Sequence, residues 1–292
     1  MGWKVVQVNT DDHLKLYLNN ILIKRESKKI IININDIDVL LLDNYKLTLS
    51  VQLINAITQA NGLIITFNSR REPASYVFSV NGNHMSLKVL ENQIAWTSVY
   101  KGKLWQEVIR NKINNQYHLL TEYKLESIDD EFFLKTIEQV KPYDVTNREG
   151  HAAKVYWALL FGQDFTRDYD AKQNPTINSM LNYGYAVLRG LVIKSIVKKG
   201  LDPRISIYHK SFSNFYALAS DLMEPFRPII DRVVYQNRDA PIFSVEIRQK
   251  LIESLTDKIT LLGKSEYINN AIDKCMDLVI RGKGWTWVDT WK

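Results

Sequence analysis

The feature that most constrains this chain is a change of hydrophobic period at Asn81-Gly82-Asn83. Before it, apolar residues fall in short strand-like blocks: Val5-Val6-Gln7-Val8, Leu14-Lys15-Leu16-Tyr17-Leu18, Ile21-Leu22-Ile23, Lys29-Ile30-Ile31-Ile32-Asn33 and Asp36 to Leu42. Asn tolerates the positive φ that a two-residue hairpin needs, so Asn19-Asn20 is the expected turn. Ser50 reads as the cap of a short helix through Ala60, closed by Asn61-Gly62, after which Leu63 to Phe67 resumes a strand. Beyond the triplet the apolar spacing becomes three and four, as at Trp105, Val108, Ile109 and Ile113, and again at Ala152, Val155, Tyr156, Leu159 and Leu160. The expected fold is therefore α+β: a β-rich N-terminal domain, residues 1–82, followed by a larger all-α domain, residues 83–292. Polar, Gly or Pro breaks divide the second domain into seven or eight helices.

The 292 residues, 46% of them hydrophobic, suffice for two buried cores. A single cysteine, Cys275, excludes a disulfide framework and a cysteine zinc cluster; its helical apolar context predicts a buried thiol without chemistry. No apolar run approaches the roughly 18 to 20 residues that span a bilayer, and Met1-Gly2-Trp3-Lys4-Val5 lacks the regions of a signal peptide. A cytoplasmic location without membrane contact is expected. The net charge of +6 is thinly spread, with ten Lys/Arg against eight Asp/Glu in residues 1–100. Nucleic-acid binding would thus need charges that folding gathers onto one surface.

Chemistry-bearing residues concentrate in three places: Asn147-Arg148-Glu149-Gly150-His151, His209, and Asp221-Leu222-Met223-Glu224-Pro225-Phe226-Arg227-Pro228. Glu149 follows Pro142 and Thr146-Asn147 and should lie in the first turn of a helix, capped by Thr146 or Asn147. Taken alone, that position is also where an ordinary capping acid sits. His209 and Glu224 are 15 residues apart, about 22 Å along an unbroken helix, so they meet only across a break. Ser211-Phe212-Ser213-Asn214 offers one, with Ser213 or Asn214 starting a new helix. Asp221 and Glu224, three apart, can share a face; Arg227 can neutralise them by salt bridging, and Pro225 and Pro228 disfavour a regular helix there. Two acids and one imidazole suit Mg²⁺ or Mn²⁺ better than structural zinc.

The order Asn-Arg-Glu-Gly-His-Ala-Ala from Asn147, Phe161-Gly162-Gln163-Asp164-Phe165-Thr166-Arg167-Asp168, Leu181-Asn182-Tyr183-Gly184-Tyr185, His209 and Ala219 to Pro228 closely resembles the CRISPR-associated spacer-acquisition integrase family, in its type II branch. The resemblance extends to the opening Gly2 to Thr10. It implies a homodimer formed largely through the N-terminal domain and a helical catalytic domain. It also implies a Glu, His and Asp-or-Glu metal set, which falls here on Glu149, His209 and Glu224, with Asp221 supporting.

The reaction the resemblance implies is strand transfer: the 3′-hydroxyl of a captured double-stranded DNA fragment attacks a phosphodiester at the edge of a CRISPR repeat. Implied partners are a small ferredoxin-like adaptation subunit joined in a heterohexamer, the type II effector, and an accessory ring protein that binds DNA ends. Arg148, Lys154, Arg167 and Arg227 are candidate phosphate contacts near the site, with Arg70 and Arg71 in the N-terminal domain. Trp96, Trp105 and Tyr183 could stack on DNA, although core packing is the more ordinary role of such residues. Two other readings use the same residues: a metal-dependent endonuclease on branched or double-stranded DNA that does not integrate, and a non-catalytic DNA-binding scaffold. The glycines of Arg281 to Trp287 suggest flexibility and its tryptophans a docking surface.

Overall fold

In a computed structural model the chain divides into two compact units, Met1–His84 and Met85–Lys292. The structure describes residues 4–10, 13–25, 28–69, 73–79, 85–125, 128–209 and 214–290. The Asn81-Gly82-Asn83 triplet lies outside the described residues.

The described residues of the first unit form β1 (Lys4–Val8), β2 (His13–Tyr17), β3 (Asn20–Arg25), β4 (Lys28–Asn33), β5 (Ile37–Leu42), β6 (Thr48–Leu49), α1 (Val51–Gln59), β7 (Leu63–Phe67) and β8 (Pro73–Val77). One sheet has the order β1-β5-β7-β8, parallel except at β8; the other runs β4-β3-β2-β6. The unbroken apolar run of β5 is buried along its whole length, as a strand covered on both faces requires. The hairpin turn is Leu18-Asn19, one residue earlier than expected, with φ of 44° and 61°. Register decides this: pairing Leu14 with Ile23 and Leu16 with Ile21 places the apolar side chains on one face, and a one-residue slip would turn them to solvent. Asn20 instead braces the turn, its Nδ2 donating to the carbonyls of Leu18 (2.6 Å) and Tyr17 (3.2 Å). Ser50 caps α1 as expected, accepting from the Leu53 amide.

The second unit is helical: α2 (Ser86–Ile94), α3 (Ser98–Glu122), α4 (Asp130–Gln139), α5 (Arg148–Phe161), α6 (Pro175–Lys198), α7 (Ala217–Leu222), α8 (Arg227–Gln236), α9 (Val245–Ser254) and α10 (Ile268–Ile280). Two features depart from an all-α reading in seven or eight helices. Pro225 separates the short α7 from α8 through a 3-10 turn, Glu224–Phe226. A small antiparallel sheet of β9 (Lys258–Leu261), β10 (Lys264–Tyr267) and β11 (Val288–Asp289), ordered β10-β9-β11, packs beside α10. Among the described residues no helix is long and apolar enough to cross a membrane.

The 25-residue α3 is the spine of this unit, with Trp105, Val108, Ile109, Ile113, Leu119 and Leu120 all buried. It also buries Asn111, Lys112, Asn115 and Gln116, polar groups that need partners. Asn111 binds the backbone of Val288 in both directions, at 2.8 and 2.9 Å, and accepts from Trp285 Nε1 at 3.1 Å. Trp287 donates to Glu107, so both tryptophans of the glycine-containing segment are docked. Cys275 is fully buried, which pushes its thiol pKa up and removes it from chemistry.

The second long helix, α6, crosses α8 at Gly184, where an added Cβ would stand 2.4 Å from Ile230 Cγ2. Close by lies a buried acid, Asp231, whose carboxylate accepts from the hydroxyls of Tyr156 (2.8 Å) and Tyr185. Burial pushes its carboxyl up to about 6, although the two tyrosines, Arg227 and Lys112 pull the other way.

Two predictions follow from this packing. Gly184→Ala forces α6 and α8 apart and should lower the unfolding free energy by about 1–3 kcal/mol, read by thermal denaturation, with part of the loss recovered when Ile230→Val is added. Asp231 has a folded pKa of about 6 against an ordinary 3.8. Its stabilising contribution is therefore complete below pH 3.8 and is lost as pH rises through about 6, on the order of 3 kcal/mol in all. Relative to wild type, Asp231→Asn should gain stability between pH 4 and pH 7 in urea denaturation; a constant difference across that range would refute the assignment.

Candidate active site

Four elements of the helical unit bring the site together: α3, the start of α5, the loop ending at His209, and the Glu224–Phe226 turn. Glu149 is in the first turn of α5, as expected. Asn147 holds the cap position, as expected, but its side chain makes no capping hydrogen bond. Asp144 accepts the amides of Arg148 (2.8 Å) and Glu149 (2.9 Å), while Asn147 has left-handed φ and ψ of 51° and 44°. The reason is steric: Tyr143, Asp144 and Asn147 all have positive φ, and this tight turn swings Asp144 under the exposed amides. A carboxylate at a helix N-terminus also suits the dipole there.

His209 and Glu224 lie on either side of a break, within which Lys210 to Ser213 fall outside the described residues. The following helix begins at Ala217, not at Asn214, whose Oδ1 accepts from the Tyr216 amide just ahead of it. Asp221, on α7, is completely buried and directed at the loop: its carboxylate accepts from the amides of Ile207 (2.7 Å), Tyr208 (2.9 Å) and His209 (3.3 Å), and Oδ1 stands 2.5 Å from His209 Nδ1. It holds the imidazole by one nitrogen and leaves Nε2 to the site. Tyr208 stacks on buried Trp105 at 4.4 Å, and His209 meets the edge of Trp105 at 5.5 Å, fixing the ring from its sides. The Asp221 hydrogen bond raises the His209 pKa against the effect of burial, with Glu224 and Glu149 adding to the rise.

The residue that joins the acids is Lys112, which the sequence reading did not single out. Its ammonium lies 2.5 Å from Glu149 Oε1 and 2.5 Å from Glu224 Oε2. Burial pulls the Lys112 pKa down, but the two carboxylates outweigh it and hold it above the ordinary lysine value, so the group is a cation. Arg227 binds the other Glu224 oxygen at 2.8 Å, the salt bridge its position suggested. Burial would raise the Glu224 pKa; Arg227 and Lys112 reverse that and keep it ionised. The signal in the sequence was a lysine on the apolar stripe of α3, three positions after Ile109 and four after Val108, where an unpaired charge could not be buried.

Glu224 is placed from behind as well. Asn115 Nδ2 donates to the Pro225 carbonyl at 2.8 Å and to the Val288 carbonyl at 2.9 Å, tying the turn to α3 and to β11. Arg227 lies 4.5 Å above the ring of Tyr185, which in turn donates to Asp231.

The candidate DNA contacts divide. Arg167 is bound inward, donating to Asn178 (3.0 Å) and Asn182 (2.7 Å) and lying over Tyr169 and Tyr185. Arg227 is likewise committed to Glu224 and Tyr185, so neither points to a phosphate. Lys154 is exposed on α5 and Arg148 is half-buried at its start. Arg70 and Arg71 lie outside the described residues. Trp105 and Tyr183 are core residues, while Trp96 is half-buried against Tyr100.

Among the described residues, no three His, Cys, Asp or Glu side chains stand in a metal-holding arrangement, and Lys112 is placed between the two acids. The donor set nevertheless fits a hard divalent ion. Glu224 Oε2 is buried and faces the Lys112 ammonium. Two carboxylate oxygens already converge on one positive centre, and both acids act electrostatically on the His209 imidazole. Such oxygen-rich sets with one histidine suit Mg²⁺ or Mn²⁺.

Comparison with known proteins places these features in a family. The family described as CRISPR associated protein Cas1 matches residues 6–240. The CRISPR-associated endonuclease Cas1 of Neisseria meningitidis serogroup C (strain 8013) is 29% identical over 279 residues, covering 94% of this chain and 90% of that protein. CRISPR-associated endonuclease Cas1 2 of Pyrobaculum aerophilum is 27% identical over 211 residues, 70% of this chain and 72% of that one. Among solved structures, a casposase bound to its integration product superposes with a TM-score of 0.75 at 18% identity, covering 95% of this chain and 90% of that chain. A Cas1 protein from Thermotoga maritima gives 0.71 at 16% identity, covering 95% and 96%; these two likenesses concern the fold. The family match includes Glu149, His209 and Glu224 and runs through most of both units, and the chain belongs to the CRISPR associated protein Cas1 family.

Proposed function

We propose that this protein is a metal-dependent DNA integrase of CRISPR adaptation, joining the 3′-hydroxyl of a captured DNA fragment to a phosphodiester at the repeat edge. The observation that carries the reading is the convergence of Glu149 and Glu224, from separate elements, on one cationic position next to an imidazole oriented by Asp221. Glu149, His209 and Glu224 would hold Mg²⁺ or Mn²⁺. When bound, such an ion activates the attacking hydroxyl and stabilises charge on the reacting phosphate and the leaving oxygen.

The chain's own residues do the rest. Asp221 holds the His209 ring by Nδ1, which would leave Nε2 for the ion. Asp144 and the α5 N-terminus fix Glu149, and Asn115 with Arg227 fixes Glu224, so the donor oxygens are set before substrate arrives. The partly exposed Glu149 side marks the approach for DNA, with Arg148 and Lys154 as phosphate contacts along α5. Arg70 and Arg71 are proposed as separate phosphate contacts of the N-terminal unit, which we also assign to homodimerisation.

A small ferredoxin-like adaptation subunit, assembled with this chain as a heterohexamer, is the proposed partner. A solved complex of a Cas6-RT-Cas1 chain with Cas2 supports it, with a TM-score of 0.72 over 99% of this chain and 36% of that one, at 16% identity. The likeness to the Neisseria protein suggests the type II branch; the type II effector and the DNA-end-binding ring protein are proposed as further partners. The word endonuclease in the names of the relatives favours a second outcome, cleavage without joining, in which water takes the place of the 3′-hydroxyl.

A half-site integration assay with Mg²⁺ or Mn²⁺ and the small partner separates the readings. Joined product should appear with wild type and vanish with EDTA and in Glu149→Gln. Cleavage without joining selects the nuclease, and unchanged joining by Glu149→Gln would remove the proposed site. Asp221→Asn, which leaves the three ligands in place, should lose about 10–100-fold in metal affinity or rate, as removal of a ligand's orienting partner does; full activity would show that Asp221 has no such role.

A further inference from the structure

Lys112 has no part in the chemistry just described, yet its ammonium stands between both acids of the site. Its side chain is 10% exposed, against 25% for Glu149 and 4% for Glu224. We propose that the Lys112 ammonium is a built-in, displaceable counter-ion that holds Glu149 and Glu224 together in the metal-free protein and yields its place to a divalent cation. This rests on the reading of Glu149, His209 and Glu224 as metal ligands.

Geometry comes first. One ammonium touches an oxygen of each acid at 2.5 Å, so those oxygens are no more than 5.0 Å apart and share a single cationic centre. An ion bound by those same two oxygens would occupy the ground that Nζ now holds. The Lys112–Glu224 contact is an ion pair between one ammonium and one carboxylate oxygen. Such a contact is easier to exchange than a bidentate guanidinium pair.

Charge gives the second argument. Lys112 and Arg227 balance Glu149 and Glu224, so this quartet is neutral as it stands. Adding two positive charges to a neutral, largely buried cluster is unfavourable unless one cation leaves or new negative charge arrives. Arg227 is poorly suited to leave: it is fixed by Glu224 at 2.8 Å and by the Tyr185 ring at 4.5 Å. Lys112 has a flexible four-carbon stem and the half-open Glu149 side beside it. Entry of metal is thus coupled to withdrawal of this ammonium, and Lys112 sets the metal concentration at which the site fills. It is a positioning residue for the empty site, not a catalytic one.

The test measures Mn²⁺ binding to the full-length protein, by calorimetry and by the electron paramagnetic resonance signal of free Mn²⁺, alongside thermal unfolding in EDTA and in Mn²⁺. Wild type, Lys112→Met and Glu149→Gln are compared, with Lys112→Gln as the replacement should the methionine variant fail to fold by circular dichroism. Lys112→Met should bind Mn²⁺ about tenfold tighter or more. It should also unfold at lower temperature than wild type in EDTA and recover most of that loss in Mn²⁺. Equal or weaker binding by the folded variant, with Glu149→Gln abolishing binding to wild type, overturns the counter-ion role and leaves the metal site standing. Absence of Glu149-dependent Mn²⁺ binding in wild type and both Lys112 variants overturns the metal site itself, and this proposal with it.

Discussion

The buried chain of opposite charges Glu149–Lys112–Glu224–Arg227 is the interaction on which the helical unit's arrangement depends. Three elements far apart in sequence meet in it: α3 through Lys112, α5 through Glu149, and the turn into α8 through Glu224 and Arg227. A buried ion pair is a poor source of net stability, because desolvation offsets most of the attraction. Its value here is specificity of place. Each carboxylate is worth burying only where its partner cation is, so the helices have one register in which the whole chain of charges closes.

Behind that chain lies a second set of groups that fixes it without touching the front of the site. Tyr185 spans the gap, with Arg227 on its face and Asp231 at its hydroxyl, and Tyr156 completes the carboxylate's partners. Gly184, next to Tyr185, lets α6 approach α8 closely enough for these contacts to form. Backbone economy and polar placement are thus linked: the residue without a side chain permits the position of the one with the longest reach.

Much of this was legible in the sequence, and the remainder was hidden for identifiable reasons. The change of period marked two architectures, and Ser50, Pro225 and the Glu149 helix start were read from local rules that tertiary packing did not override. The hairpin turn moved by one residue because cross-strand pairing of Leu14 and Leu16 decided the register, a non-local term. The β9-β10-β11 sheet escaped notice because its strands have at most four residues and one comes from the chain's far end. Asp144 was missed because its capping role requires positive φ at Tyr143, Asp144 and Asn147 together, and Tyr143 does not favour that conformation. Lys112 was visible as a lysine on an apolar stripe, but its meaning depended on acids 37 and 112 residues away. The family resemblance supplied Glu149, His209 and Glu224; it did not supply the cation between them.

The amide of Asn115 has a consequence for how such a chain matures. It grips the Pro225 carbonyl next to Glu224 and the carbonyl of Val288, 173 residues further on. Contacts of that sequence separation form late, after nearer ones have closed their loops. On a translating ribosome the segment containing Val288 emerges long after all three proposed ligands have been made. Until it docks on α3, the turn that carries Glu224 lacks one of the walls that shape it. That wall closes only when two carbonyls far apart along the chain share the one Asn115 amide.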